Sequence, residues 1–250
     1  MVSYRYFVTS MVIHLLLSSC VNLNSSPKSN LKQVVEEANV TELVQQVKIA
    51  QQAEQLFLQA NNLLNSHDYQ KAIALYDHLL QIQPSKSEAL INRGNALASL
   101  QRYADAIASY DKAINLQPKA DQAWYNRGNA LMASQRYKDA IASYRQALSI
   151  KPDKYEAWIN QGISLAKLQR YQEAVAIYDH AIALNPKQDI AYYNKACAYA
   201  LQNNVDLAVE SLKKAVKIAP IKNQKQAKTD ADFAKVRQNK NFQELISLPS

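Results

Sequence analysis

The chain has three glycines in 250 residues, which disfavours an architecture of strands and tight turns and leaves helices as the natural element. Two cysteines, Cys20 and Cys197, are too few for a disulfide framework, and neither cysteines nor the four histidines pair at zinc-ligand spacing. The longest apolar run near the start, Phe7 to Leu17, is interrupted by Thr9, Ser10 and His14 and is too short to cross a bilayer comfortably. Acidic residues are scarce at the other end. From Lys213 to Lys240 nine lysines and arginines face only Asp230 and Asp232, so most of the net charge of +8 sits there. That basic end also lacks interleaved aromatics for stacking on bases, which argues against a nucleic-acid partner.

What is present is a repeat. Residues 87–120 and 121–154 are identical at 18 of 34 positions, and Pro84, Pro118, Pro152, Pro186 and Pro220 stand 34 apart. Tyr76, Tyr110, Tyr144 and Tyr178 form a column on this ruler, as do Ala72, Ala106, Ala140, Ala174 and Ala208, and the three glycines, Gly94, Gly128 and Gly162, form another. The period divides the chain into repeats at 53–86, 87–120, 121–154, 155–188 and 189–222, preceded by a helical segment over 31–52 and followed by a basic tail over 223–250. Each repeat parses as two antiparallel helices, the second stopped by its proline, which has no amide proton to offer.

Trp124, Gly128, Leu131, Ala140, Tyr144, Ala147 and Pro152 resemble the motif of the tetratricopeptide repeat (TPR) family, with Arg127 where the family prefers leucine. The resemblance implies an all-α, right-handed TPR superhelix, an α-solenoid of helix-turn-helix repeats. It implies that the glycine, alanine, tyrosine and tryptophan columns are core, Trp124 and Trp158 included. It also implies that Phe233, Val236, Phe242, Leu245 and Ile246 close the open end of the array. The turn between paired helices usually carries a glycine in this family. Here it holds His67, Gln101, Gln135, Gln169 and Asn203, so its geometry is expected to be strained or altered.

In the family the first helix of each repeat lines a concave face. Asn92, Asn126, Asn160 and Asn194 then form a row resembling the asparagine ladder of O-linked N-acetylglucosamine transferase, with Asn95 and Asn129 extending it and Tyr125 and Tyr193 as apolar anchors. An amide both donates and accepts, so such a row can pair with a peptide backbone of any sequence. The same asparagines could instead bond between neighbouring helices. The clamp that holds heat-shock chaperone carboxylates needs a lysine where Phe57, Ile91, Tyr125, Ile159 and Tyr193 stand, which excludes that docking mode. His78 and His180 lie three repeats apart, too far for a shared proton or metal, and Asp77, Asp111 and Asp179 are expected to face solvent. No enzyme, cofactor or metal is expected.

Residues 1–19 read as an export signal ending in Leu17-Ser18-Ser19 before Cys20, which resembles the lipobox of bacterial lipoproteins. The resemblance implies lipidation at Cys20, a tether over 20–30, and an exported protein anchored at the cell envelope; an ordinary cleaved signal or an uncleaved anchor are the alternatives. The expected function is a scaffold whose groove binds a peptide or protein segment. Two alternatives remain open: a self-associating structural component with a passive groove, and a binder of acidic partners or a lipid surface through the basic C-terminal end.

Overall fold

The computed structural model describes residues 27–247, whose regular structure is all helix with no strand among them. The expected export signal over residues 1–19 and Cys20 lie outside the described residues. The chain divides into two compact units, Met1–Gln52 and Ala53–Ser250.

Helix α1 runs Pro27–Asn65. It opens on a proline, whose missing N–H is no loss at a first helical position. Pro27 to Asn30, expected in the tether, therefore belong to the helix. The helix runs unbroken through Thr41, whose hydroxyl donates to the Glu37 carbonyl at 2.9 Å. In the first unit Leu43 and Ile49 are exposed.

The second unit is a stack of helix pairs. The end of α1 from Ala53 pairs with α2 (Tyr69–Ile82), then α3 (Ser87–Ser99) with α4 (Tyr103–Leu116) and α5 (Asp121–Ala133) with α6 (Tyr137–Ile150). Helices α7 (Tyr155–Lys167) and α8 (Tyr171–Leu184), then α9 (Asp189–Leu201) and α10 (Val205–Ile218), complete the array. Helix α11 (Pro220–Thr229), a 3-10 turn (Ala231–Phe233) and α12 (Lys240–Ser247) close it. Each second helix stops two residues before its proline. The fifth proline differs, since Pro220 stands at the start of α11 and begins the next helix at once.

Burial follows helical spacing. In α4 the buried set is Ala106, Ile107, Ser109, Tyr110, Ala113 and Ile114. The glycine column exists for one reason: a Cβ at Gly94 would meet Tyr110 Cε1 at 2.5 Å, one at Gly128 would meet Tyr144 Cε1 at 2.5 Å, and Gly162 stands to Tyr178 in the same way. Trp124 and Trp158 pack against the core from its margin. Both are half-buried, and their indoles donate to the carbonyls of Pro118 at 2.9 Å and Pro152 at 2.8 Å, clasping the preceding turn.

The five turns inside the repeats adopt the left-handed conformation without glycine, with φ of 65°, 59°, 61°, 60° and 59° at His67, Gln101, Gln135, Gln169 and Asn203. Two hydrogen bonds compensate at each. At the second repeat the Gln101 N–H reaches the Ala98 carbonyl and the Arg102 N–H reaches that of Leu97, both at 2.9 Å. This is the Schellman closure that glycine normally favours, and a non-glycine side chain there costs about 1 kcal/mol.

Candidate interaction groove

Neighbouring first helices touch, α3 with α5, α5 with α7 and α7 with α9, a closer approach than any between second helices. The array of the second unit therefore curves with its first helices inside, and side chains that α3, α5 and α7 turn away from the second helices line a groove.

Along that groove runs an interlocked set of amides. The Tyr76 hydroxyl donates to Asn61 Oδ1 at 2.6 Å, and the same oxygen accepts from Asn92 Nδ2 at 2.9 Å. One repeat on, Asn95 Oδ1 accepts from Tyr110 at 2.8 Å and from Asn126 Nδ2 at 2.7 Å. At the next, Asn129 Oδ1 accepts from Tyr144 at 2.8 Å and from Asn160 Nδ2 at 2.9 Å. Each rung thus ties both helices of one repeat to the first helix of the following one. Burial pushes the Tyr76 phenol up to about 12 and those of Tyr110 and Tyr144 higher, so all three remain hydrogen-bond donors.

The rungs do not exhaust the amides. Asn61 Nδ2, Asn95 Nδ2, Asn92 Oδ1 and Asn160 Oδ1 make no hydrogen bond among the described residues and belong to half-buried side chains, while Asn126 Oδ1 accepts from the exposed Gln122. Tyr125 lies half-buried beside the row, its hydroxyl accepting from Asn160 Nδ2 at 3.3 Å and its ring under Lys154 Nζ at 4.8 Å. That lysine pairs with Asp121 at 3.0 Å. Asn61 belongs to the ladder although sequence reasoning passed it over. The signal was available, since Asn61 stands 34 before Asn95 and 68 before Asn129.

The ladder ends at repeat four. Ile163 fills the place of the next acceptor, so Asn194 Nδ2 is buried without a partner. Tyr193 is closed to the groove: it is 3% exposed, its ring meets Phe233 edge-on at 5.7 Å, and its hydroxyl donates to Asp230 Oδ2 at 2.9 Å. The cap has returned onto the inner columns of the fifth repeat and covered it. Of the expected site, Asn92, Asn95, Asn126, Asn129, Asn160 and Tyr125 come together, and Tyr193 and Asn194 do not join them.

Beneath the cap, ligand atoms of Cys197, Asp230 and Asp232 lie within 4.8 Å of one another. Asp230 is already engaged by Tyr193 and by the Asp232 N–H at 3.0 Å. Burial, and then the charges of Asp230 and Asp232, push the Cys197 thiol well up, so it stays protonated. The cluster is the polar seam of the cap.

The outer face carries a second ladder, in which Asp77, Asp111 and Asp179 face solvent as expected and also pair across repeats. Arg93 reaches Asp77 at 2.5 Å and Ser109 at 2.7 Å, Arg127 reaches Asp111 at 2.6 Å and Ser143 at 2.7 Å, and Lys195 reaches Asp179 at 2.5 Å. Arginine at the family's leucine position is therefore a cross-repeat tie. At repeat four the partners change together to Gln161, Arg145 and Ile177, and the buried Gln161 Oε1 makes no hydrogen bond. The histidines serve locally: His180 packs on Trp158 at 4.2 Å and His67 on Tyr69 at 5.7 Å.

Family models of the tetratricopeptide repeat match residues 94–135, 122–154 and 159–220. No curated protein matches the sequence. Among solved structures the chain is similar to YrrB, a TPR protein with an unusual peptide-binding site, at 26% identity over 72% of this chain and 92% of that one, with a TM-score of 0.61. It is similar in fold to MamA at 24% identity, covering 65% and 95% of the two chains at a TM-score of 0.62. MamA from Desulfovibrio magneticus RS-1 gives 19%, 68%, 96% and 0.65.

Proposed function

We propose that this chain, a member of the tetratricopeptide repeat family, is a protein-interaction scaffold whose inner groove holds an extended peptide segment by its backbone. The observation that carries this reading is the ladder of Asn61, Asn95 and Asn129. Its hydrogen bonds hold each amide in one orientation while leaving donors on Asn61 and Asn95 and acceptors on Asn92 and Asn160 open. Pre-ordered donors and acceptors lose little entropy when a partner's N–H and C=O groups arrive. The similarity to YrrB, a TPR protein with an unusual peptide-binding site, supports the same reading. Packed helices about 10 Å apart and an extended chain rising about 3.3 Å per residue give roughly three residues per repeat, hence a segment of about nine for three rungs.

The test is affinity for peptides about nine residues long selected from a random library. Asn92→Ala with Asn160→Ala lowers affinity at least about tenfold, the loss of one to two hydrogen bonds, for peptides of unrelated sequence. Arg93→Leu with Arg127→Leu, which loosens the same repeats from outside, leaves affinity unchanged. N-methylation of the central peptide bonds weakens binding as the asparagine changes do. Equal losses in the two double variants would reduce the ladder to a purely structural device.

The scaffold acts, in this proposal, at a bacterial cell envelope, anchored through a lipidated Cys20. The support is Leu17-Ser18-Ser19-Cys20 after an eleven-residue apolar run. The intact mass of protein from its native membrane then corresponds to a chain beginning at Cys20 plus acyl groups, and Cys20→Ala abolishes the addition. A mass that retains Met1 removes the anchor.

A further inference from the structure

The repeats serve as controls for one another, and the fifth departs from the other four along one edge. Ile221 stands in a column otherwise filled by Ser85, Lys119, Asp153 and Lys187, and at 68% exposure it is the most exposed large aliphatic side chain among the described residues. Ile218, across the Ala219 corner, is 38% exposed, as its column is at Leu116 and Leu184, and only here does a second exposed isoleucine stand beside it. Lys213 stands where three repeats carry Asp77, Asp111 and Asp179 and repeat three carries Arg145, and Lys217 replaces Gln81, Asn115, Ser149 and Ala183. Lys214 precedes Ile218 by one helical turn, and Lys225 follows Ile221 by one, so the two isoleucines sit at the corner of α10 and α11 with lysines on both sides.

The charges are not neutralised locally. Lys214 pairs with Glu210 at 2.9 Å and Lys222 with Asp189 at 2.8 Å, whereas Lys213, Lys217, Lys225 and Lys228 make no ion pair among the described residues. No aromatic residue occurs from Val205 to Thr229, so nothing there stacks on a base. A protruding apolar corner ringed by long, flexible cations matches a surface that is anionic outside and hydrocarbon just beneath. The lysine stems can lie along the boundary while their ammonium groups stay among head groups.

We propose that this edge docks on an anionic lipid bilayer, with Ile218 and Ile221 entering the boundary between head groups and acyl chains. The lysines act within a Debye length of the surface, each strengthening partition about fivefold. The surface is separate from the groove, so it can seat the array on a membrane while a peptide is held. It does not depend on the groove reading.

The test uses the full chain with Cys20→Ala, which removes any acyl anchor and leaves Cys197 buried. An environment-sensitive dye on Ile221→Cys moves to the blue on vesicles of phosphatidylglycerol with phosphatidylcholine. The same dye on Asp153→Cys, the equivalent column of repeat three, does not. Lys213→Asp with Lys217→Ser, which restores residue types of the other repeats, lowers partition to the anionic vesicles about twentyfold or more. High salt abolishes the difference. The Phe7 to Leu17 run is common to all these proteins and is indifferent to head-group charge, so the reading rests on the differences. No shift at position 221, equal shifts at 221 and 153, or a shift produced equally by soluble polyglutamate would each overturn the bilayer as occupant.

Discussion

Tyr144→Ala destabilises the second unit by about 3–5 kcal/mol, and Tyr144→Phe by about 1–1.5 kcal/mol. The tyrosine is fully buried, its ring lies over Gly128 where even a Cβ would be 2.5 Å away, and it packs on Tyr125 at 6.0 Å. Removing the ring opens a cavity between rigid helices that cannot collapse into it without sliding one repeat along another. Removing only the hydroxyl keeps the volume and deletes one of the two hydrogen bonds to Asn129 Oδ1. The two changes therefore separate packing from ladder. Stability in a repeat array is a sum of repeat and neighbour terms, so the alanine change also uncouples repeats one and two from four and five. Urea unfolding followed through Trp124 and Trp158 then broadens, and peptide affinity falls. In the phenylalanine variant unfolding stays cooperative while peptide affinity drops by severalfold, because Asn129 has lost the bond that set its orientation. A Tyr144→Phe protein with native affinity would show that the amides need no such support.

The repeat was legible because its constraints are local and periodic. A glycine recurs where a tyrosine ring needs room, and a proline recurs where a second helix must end. The left-handed turns were harder to read. His67, Gln101, Gln135 and Gln169 carry no sign of positive φ, which is imposed by the Schellman hydrogen bonds rather than by the residue in the turn. The ladder was legible as a row but not as a network, since Asn126 finds its partner 31 residues back and Asp77 finds Arg93 sixteen ahead. Those partners follow from the packing angle of successive repeats. Tyr193 misled for the opposite reason. Tyr125, in the same column, lies beside the groove, but at Tyr193 residues 37 and 40 positions later fold back over it.

That fold-back sets up the second large effect. Phe233→Ala opens the cap, at a loss of about 3–5 kcal/mol. Phe233 is fully buried, meets Tyr193 at 5.7 Å and Phe242 at 5.2 Å, and shares a core with Leu212, Val216, Val236, Leu245 and Ile246. The cap is the last element in the stack, with a neighbour on one side only, so it can detach without unfolding the repeats before it. Cys197 reports the event. It is 7% exposed under Asp230 and Asp232, and in a Cys20→Ala background its modification by a thiol reagent requires the cap to lift. The loss in stability converts to labelling faster by about a hundredfold or more, provided closing outpaces modification. Hydrogen exchange accelerates over α9 and α10 but not over α3 to α6. The uncovered apolar end, with Tyr193, Leu212 and Val216 exposed, makes the variant associate at high concentration, which sedimentation detects. If labelling instead accelerated in step with hydrogen exchange over α3 to α6, Cys197 would be reached by unfolding of the array as a whole. The cap would then be part of one cooperative core with the fifth repeat, and the groove could not be lengthened by releasing it.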